Sequence, residues 1–153
     1  MKLWRLTLAG RELLDGSGPF RHGSRYSSPG RAIVYLTTEA ALAVLVTLRY
    51  LPEDRSAWRK DYLLGWTEIR GEPERVPYEF RDDSDIRDWV DGWLQSARSL
   101  SAIVASKVLP EADIVMINPQ HPDAAGVPPL VVRPFDFETC LHRPPMLDSY
   151  RNN

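Results

Sequence analysis

Apolar and polar residues alternate along Lys2–Leu8, which is the pattern of a half-buried strand. Further along the chain, short runs rich in β-branched and aromatic residues, such as Ala32–Leu36, predict additional strands. About six strands are predicted in all, over the segments 2–8, 32–36, 61–69, 101–106, 114–117 and 130–137.

Two other segments carry apolar residues at helical spacing. The first follows Thr38, whose residue type often caps helices, and should end near Leu51 because Pro52 cannot continue a helix. Its predicted apolar stripe consists of Ala41, Leu42, Leu45, Val46 and Leu48. The second follows Ser84 as its predicted cap, with apolar residues at Ile86, Val90, Trp93 and Leu94.

These elements predict an α+β protein with a mixed β-sheet core and a few helices, because two helices are too few to cover a regular parallel sheet. The segment Gly16–Gly30 is rich in Gly, Ser and Pro and is predicted to be a loop. Loops of this length in a compact domain are usually functional.

The composition is that of one globular domain. Of the 153 residues, 43% are hydrophobic and 26% are charged. We expect a single domain over 1–153, with a core over about 3–137 and a C-terminal tail over 138–153. The sequence contains neither an apolar run of about 18 residues nor a signal-peptide pattern, so we expect a cytoplasmic protein without membrane contact.

The cysteine and histidine content and the net charge argue against a disulfide-stabilised, metal-binding or nucleic-acid-binding protein. Cys140 is the one cysteine, which excludes an internal disulfide and a cysteine-based zinc site. The histidines His22, His121 and His142 are scattered along the chain, so no metal is expected. The formal net charge of −2 gives no general attraction to nucleic acid.

The charge is nevertheless unevenly distributed. Residues 1–31 carry six cationic side chains against two acidic ones, whereas residues 72–91 are strongly acidic. Such segments are usually solvated surface, which is the simpler interpretation. The alternative is that the cationic segment faces a small anionic ligand.

Three positions are candidates for chemistry. Arg25 lies in a loop between Gly23 and Gly30, where its guanidinium could grip a pyrophosphate or a carboxylate. Tyr35 ends a strand and could stack on a nicotinamide or a base, and Ser106 closes another strand. Taken singly, each is better explained as a surface arginine, a packing tyrosine or a turn serine.

In their order and spacing, these positions resemble the RES domain family, which is named for an Arg, a Glu and a Ser. The family pattern begins with a glycine-containing loop that carries the arginine, and a tyrosine follows ten residues later. The loop around Arg25 and Tyr35 are similar to these two features. The resemblance spans roughly residues 3–137. Its remaining parts are the opening Leu3-Trp4-Arg5-Leu6, the helix segment Leu42-Ala43-Val44-Leu45, the segment Ala105–Pro110 and the motif Asn118-Pro119-Gln120-His121-Pro122.

The resemblance implies an ADP-ribosyltransferase-like fold that cleaves the nicotinamide–ribose bond of NAD, with transfer to water, phosphate or a protein. Arg25 would hold the pyrophosphate, and Tyr35 with Tyr26 would frame the nicotinamide ribose. Ser106 would hydrogen-bond the ribose or the amide, and Arg5 is a further predicted NAD-binding residue. No metal takes part in this scheme.

The same resemblance implies the toxin of a toxin–antitoxin system, which would arrest growth by consuming NAD. The expected partner is a helix-turn-helix antitoxin of the Xre type whose tail plugs the active-site cleft. The sequence contains nothing that argues for or against a homodimer, so self-association stays an open alternative.

The chain departs from the family at three positions. The family glutamate falls at Val46, the usual tryptophan at Tyr26 and a common histidine at Tyr50. Three hypotheses follow: an active NAD-consuming toxin that uses another carboxylate or tolerates Val46, a catalytically weakened RES protein that still binds NAD or its antitoxin, and an unrelated α+β binding domain.

Overall fold

The computed structural model describes residues 1–141. The strands are β1 (Lys2–Leu8), β2 (Val34–Thr37), β3 (Tyr62–Glu68), β4 (Glu74–Arg75), β5 (Ser101–Ala105), β6 (Asp113–Ile117) and β7 (Val131–Phe135). The helices are α1 (Ser17–His22), α2 (Ala40–Tyr50), α3 (Asp83–Ser96) and α4 (Phe137–Leu141), and short 3-10 helices lie at Arg55–Arg59 and Pro122–Gly126.

The strands form one seven-stranded sheet in the order β4-β5-β6-β2-β1-β3-β7. Neighbouring strands are antiparallel except β4 and β5, which are parallel. The sheet is therefore mixed, and the predicted α+β class is confirmed.

The centre of the sheet is buried on both faces. Along β6, Val115 and Ile117 join one apolar cluster, whereas Met116 between them joins another, because successive strand side chains point to opposite faces. Helix α3 covers the Met116 face with Val90 and Trp93, both fully buried. A third cluster joins α2 and α4 to β1 and β3.

The two ends of the sheet differ in length. One end is β4, which has only two residues. The other is β7, whose register pairs Leu63 with Pro134. Pro134 lacks a backbone N–H and lies beside the exposed Arg133.

Several details of the sequence prediction are wrong. The predicted loop Gly16–Gly30 contains α1, and β4 was not predicted at all. The last strand ends at Phe135, and Phe137 begins α4 instead. Residues 142–153 of the predicted tail, with His142, lie outside the described residues.

Both predicted helix caps are also wrong. Glu39, not Thr38, occupies the cap position of α2, and it makes no capping bond with its side chain. The Thr38 hydroxyl instead accepts the N–H of Asp113 at 3.0 Å, because the start of β6 lies beside it. Helix α3 begins at Asp83, after Asp82 in the cap position, so Ser84 already lies inside the helix.

The apolar stripe predicted for α2 is only partly correct. Leu42 is buried as expected, but Ala41 and Leu45 are exposed and Ala43 is buried in place of Ala41.

Within residues 1–141, none of the helices combines the length and the apolar content that a membrane crossing requires.

Candidate active site

A cleft with a volume of about 1210 Å³ opens between the segment 10–26, the strands β1 and β2, and α2. The start of α3 and the turn after β5 complete its wall. The cleft gathers all five predicted site residues, which are Arg5, Arg25, Tyr26, Tyr35 and Ser106, together with Val46. Residues that lie far apart in the sequence thus meet at one concave surface, as ligand sites generally require.

The loop that carries Arg25 depends on its glycines. Gly23 has φ 71° and Gly30 has φ 84°, a left-handed conformation that residues with a Cβ rarely adopt. The loop is tied down by Ser28, whose N–H and hydroxyl both donate to the carboxylate of Asp91 on α3. Arg25 is consequently presented from a fixed backbone rather than from a loose segment.

The guanidinium of Arg25 has one edge bound to the protein. Its Nε donates to Oδ2 of Asp83 at 2.9 Å, and its Cζ lies 5.3 Å from the centroid of the Tyr26 ring. The backbone carbonyl of Arg25 accepts Nη2 of Arg87 at 2.9 Å. The side chain of this arginine is only partly exposed.

Asp83 bridges two cations, because its other oxygen, Oδ1, accepts Nζ of Lys107. The bond from Lys107 is the largest cause of the lowered pKa of Asp83. Burial opposes it, and the bond from Arg25 lowers the pKa further. The ion pairs therefore stabilise the fold above the pKa that Asp83 has in the unfolded chain. That contribution is lost as the pH falls through the lowered pKa of the folded state.

The tyrosines combine packing with a polar contact. Tyr26 is buried in the cluster beneath α3. The Tyr35 hydroxyl lies 2.6 Å from Oγ of Ser24, which in turn lies 2.6 Å from Oγ of Ser27. Burial raises the pKa of Tyr35, so its phenol stays protonated near neutral pH. A fixed hydroxyl thus stands at the wall of the cleft.

Ser106 has the turn role that was the simpler interpretation. It is buried, and its Oγ accepts the N–H groups of Val108 at 3.1 Å and Leu109 at 3.3 Å. Its hydroxyl hydrogen has no acceptor within residues 1–141. Because Ser106 also lines the cleft, that hydrogen can be donated to a bound molecule.

The cleft is strongly cationic. Arg5 lies on β1, where burial lowers its pKa, and its Nη1 donates to the carbonyl of Leu13 at 3.3 Å. An arginine nevertheless stays charged in proteins. Six cationic side chains line the cleft, namely Arg5, Arg11, Arg21, Arg25, Arg49 and Lys107, against the two carboxylates Asp15 and Asp83. This distribution suits an anionic ligand.

Helix α2 turns a largely uncharged face to the cleft. Val46 and Tyr50 are one helical turn apart and both line it. Glu39 is exposed and does not line the cleft, so it cannot supply a carboxylate to the site in place of Val46. Of the carboxylates in the described wall, Asp83 contacts Arg25 directly, whereas Asp15 accepts the N–H of Ser17.

The motif Asn118–Pro122 stabilises the fold outside the cleft wall. Asn118 is fully buried, and its Nδ2 donates to the carbonyl of Leu94 at 3.0 Å. That carbonyl lies in the last turn of α3, where helices leave carbonyls unpaired. The Asn118 Oδ1 accepts the N–H of Gln120 at 3.0 Å, so the motif locks the end of α3 to the loop after β6.

Asn118→Ala is expected to lower the free energy of unfolding by about 1–3 kcal/mol, because it leaves the buried carbonyl of Leu94 without a partner and removes the bond to the N–H of Gln120. Urea unfolding followed by circular dichroism measures the change. Gln120→Ala, at an exposed position in the same loop, is the matched control and should stay within about 0.5 kcal/mol of the parent. Equal effects of the two changes would contradict the locking role.

Asp83 and Lys107 were missed in the sequence. Asp83 lies 58 residues from Arg25 and reads as an ordinary acid in the first turn of a helix. The sequence did offer one indication that Lys107 belongs to the site, because it directly follows Ser106.

Within residues 1–141, the structure contains no group of three or more potential metal ligands.

A family model and two relatives of known name match this chain over most of its length. The model of the RES domain family matches residues 2–139. The Prs ADP-ribosylating toxin of Sphingobium sp. (strain YBL2) is 30% identical over 92% of this chain and 96% of the relative. Toxin Res of Yersinia enterocolitica serotype O:8 / biotype 1B is 27% identical over 82% of this chain and 79% of the relative.

A solved structure shares the fold. A chain in the crystal structure of the M. tuberculosis MbcT–MbcA toxin–antitoxin complex superposes with a TM-score of 0.72. The two chains are 14% identical, and the match covers 88% of this chain and 84% of the other. The match shows that the two chains share one fold.

Proposed function

The chain belongs to the RES domain family, and from this premise we propose that it is a toxin that cleaves the nicotinamide–ribose bond of NAD. The observation that carries the proposal is the convergence of Arg25, Tyr26, Tyr35 and Ser106 on one cationic cleft. Family membership excludes the third hypothesis, an unrelated α+β binding domain.

The proposed reaction breaks the bond between the ribose C1′ and the nicotinamide nitrogen. Nicotinamide leaves with the bonding electron pair, and the ribose passes through an oxocarbenium-like transition state. Water, phosphate or a protein side chain then adds at C1′ and gives up its proton. With water as the acceptor, the products are ADP-ribose, nicotinamide and one proton.

Each site residue has a distinct part in this scheme. Arg25 binds the pyrophosphate through the edge of its guanidinium that Asp83 leaves free. Tyr35 and Tyr26 frame the nicotinamide ribose, and Ser106 donates its hydroxyl hydrogen to the ribose or the amide. Arg5 adds positive charge deeper on β1.

A second candidate function is favoured by Val46. Its side chain offers no charge where the family has a glutamate, although it lines the cleft. Under this proposal, the chain binds NAD or an antitoxin without efficient turnover. The two proposals share the binding site and differ in rate.

An antitoxin partner is part of the proposal. The structural relative was solved as a toxin–antitoxin complex, and two curated relatives are named as toxins. The cationic cleft suits a plug that carries carboxylates, such as the tail of an Xre-type helix-turn-helix protein. Growth arrest on expression, relieved by the product of a neighbouring gene, would test this role.

Incubation of the purified chain with NAD, with and without phosphate, tests the reaction. We expect free nicotinamide to appear, and a rise in its rate with phosphate would identify phosphorolysis. Intact NAD together with measurable NAD binding would favour the second candidate instead. Absence of both nicotinamide release and NAD binding would contradict the proposed reaction and also the NAD-binding form of the second candidate.

A further inference from the structure

Three charged side chains from separate parts of the chain meet at one wall of the cleft. Arg25 comes from the loop after α1, Asp83 is the first residue of α3, and Lys107 follows β5. Asp83 joins the other two, because Oδ2 accepts Nε of Arg25 and Oδ1 accepts Nζ of Lys107. We call this group the Arg25–Asp83–Lys107 bridge.

The bridge fixes the direction of both cations. Nε of Arg25 donates to Asp83, and neither of the two Nη groups has a hydrogen-bond partner within residues 1–141, so both remain available to a ligand. The ring of Tyr26 lies against the same guanidinium. Lys107 donates a second bond to the carbonyl of Arg81 at 3.2 Å, which leaves one of its three N–H donors for a ligand.

The bridge carries more positive than negative charge, so it can bind a further anion. Two cations face one carboxylate, so the group keeps one net positive charge. Asp82 and Asp85, the acids nearest to Asp83 on its own helix, do not line the cleft. An exposed ion pair on its own contributes little to stability, whereas two cations held in fixed directions bind a phosphate group effectively.

We propose that Lys107 is a second cationic contact for the diphosphate of the dinucleotide, and that Asp83 is a positioning residue that aims Arg25 and Lys107 at it. The proposal rests on the proposed function for its ligand. It adds two residues to the site and assigns Asp83 to binding rather than to the stabilisation of the ribose cation.

Calorimetric titration with ADP-ribose tests the bridge without any need for turnover. ADP-ribose contains the diphosphate and lacks the bond that is cleaved. We expect Lys107→Met to weaken its binding about tenfold, the effect of losing one charge-assisted contact. Lys60→Met is the matched control at an exposed position outside the cleft and should not change binding.

Asp83→Asn separates positioning from simple electrostatics. The change removes a negative charge from the cleft wall, so a purely electrostatic role predicts tighter binding of ADP-ribose. A positioning role predicts the opposite, because Arg25 and Lys107 lose the group that directs them. We expect binding to weaken severalfold, with Asp85→Asn as the control on the same helix.

Nicotinamide riboside gives the second measurement, since it has the same scissile bond and no diphosphate. Lys107→Met and Asp83→Asn should therefore raise the KM for NAD by a larger factor than the KM for nicotinamide riboside. Unchanged ADP-ribose binding in Lys107→Met, or tighter binding in Asp83→Asn, would overturn the bridge even if NAD is cleaved. Failure of the parent chain to bind ADP-ribose would also overturn it. Weakened binding in a chain that cleaves nothing would support the bridge and contradict the proposed reaction.

Discussion

Val46→Glu is expected to raise the rate of nicotinamide release from NAD by about 10²–10³-fold. Position 46 lies on the face of α2 that lines the cleft, and by resemblance we propose that the family glutamate falls at this position. A carboxylate there would stabilise the positive charge that develops on the ribose as the bond breaks. The rate is measured as free nicotinamide under saturating NAD, so that the change appears in kcat.

Two variants make this result specific. Val46→Gln has nearly the shape of glutamate without its charge and should stay close to the parent rate. Leu45→Glu adds the same charge at the adjacent exposed position, which does not line the cleft. Equal rates in Val46→Glu and Val46→Gln would show that position 46 does not hold the family carboxylate, or that this carboxylate does not act on the cation.

Arg25→Ala should reduce kcat/KM for NAD by about 100-fold, which corresponds to roughly 3 kcal/mol of lost charge-assisted binding. The variant loses the contact with the diphosphate and also releases Asp83 from one of its two cations. Arg25→Lys should recover little of the loss, because one ammonium group cannot bind Asp83 along one edge and the ligand along another. Initial rates of nicotinamide release over a range of NAD concentrations measure both variants.

The control for Arg25 is Arg70→Ala, which removes an exposed arginine outside the cleft. Its kcat/KM should equal that of the parent. A loss of the same size in Arg70→Ala would point to general electrostatic attraction, and normal activity in Arg25→Ala would remove the arginine from the site. Thermal unfolding of each variant separates these outcomes from loss of the fold.

The sequence predicted the elements whose patterns are local. Alternation located β1 correctly over Lys2–Leu8, and helical spacing located α3, because both patterns follow from one buried face. Helix α1 was missed because Gly18 and Pro19 give its sequence the composition of a loop. Strand β4 has two residues, too few to show any period. The order of strands depends on pairings between distant segments, which no local pattern contains.

The same limit applies to the site. Arg25, Tyr35 and Ser106 were identified through their resemblance to the RES family pattern, and the structure brings them to one cleft, although their roles stay predictions. Asp83 was not found, because an acid at the start of a helix is ordinary and its contact with Arg25 is a tertiary one. The motif around Asn118 was identified as part of the family pattern, but the hydrogen bonds of the Asn118 side chain connect the end of α3 to the loop after β6 and so stabilise the fold.

The ends of the sheet bear on how this chain behaves at high concentration. An open strand edge is a template on which further chains can pair and aggregate. Here one edge is only the two residues of β4, and the other contains Pro134 beside a charged Arg133. A proline has no N–H to offer an incoming strand, and a short edge gives it too few bonds to hold. Within residues 1–141, neither end of the sheet therefore offers an incoming strand a long and unbroken row of backbone partners, so we expect little aggregation through strand pairing at high concentration.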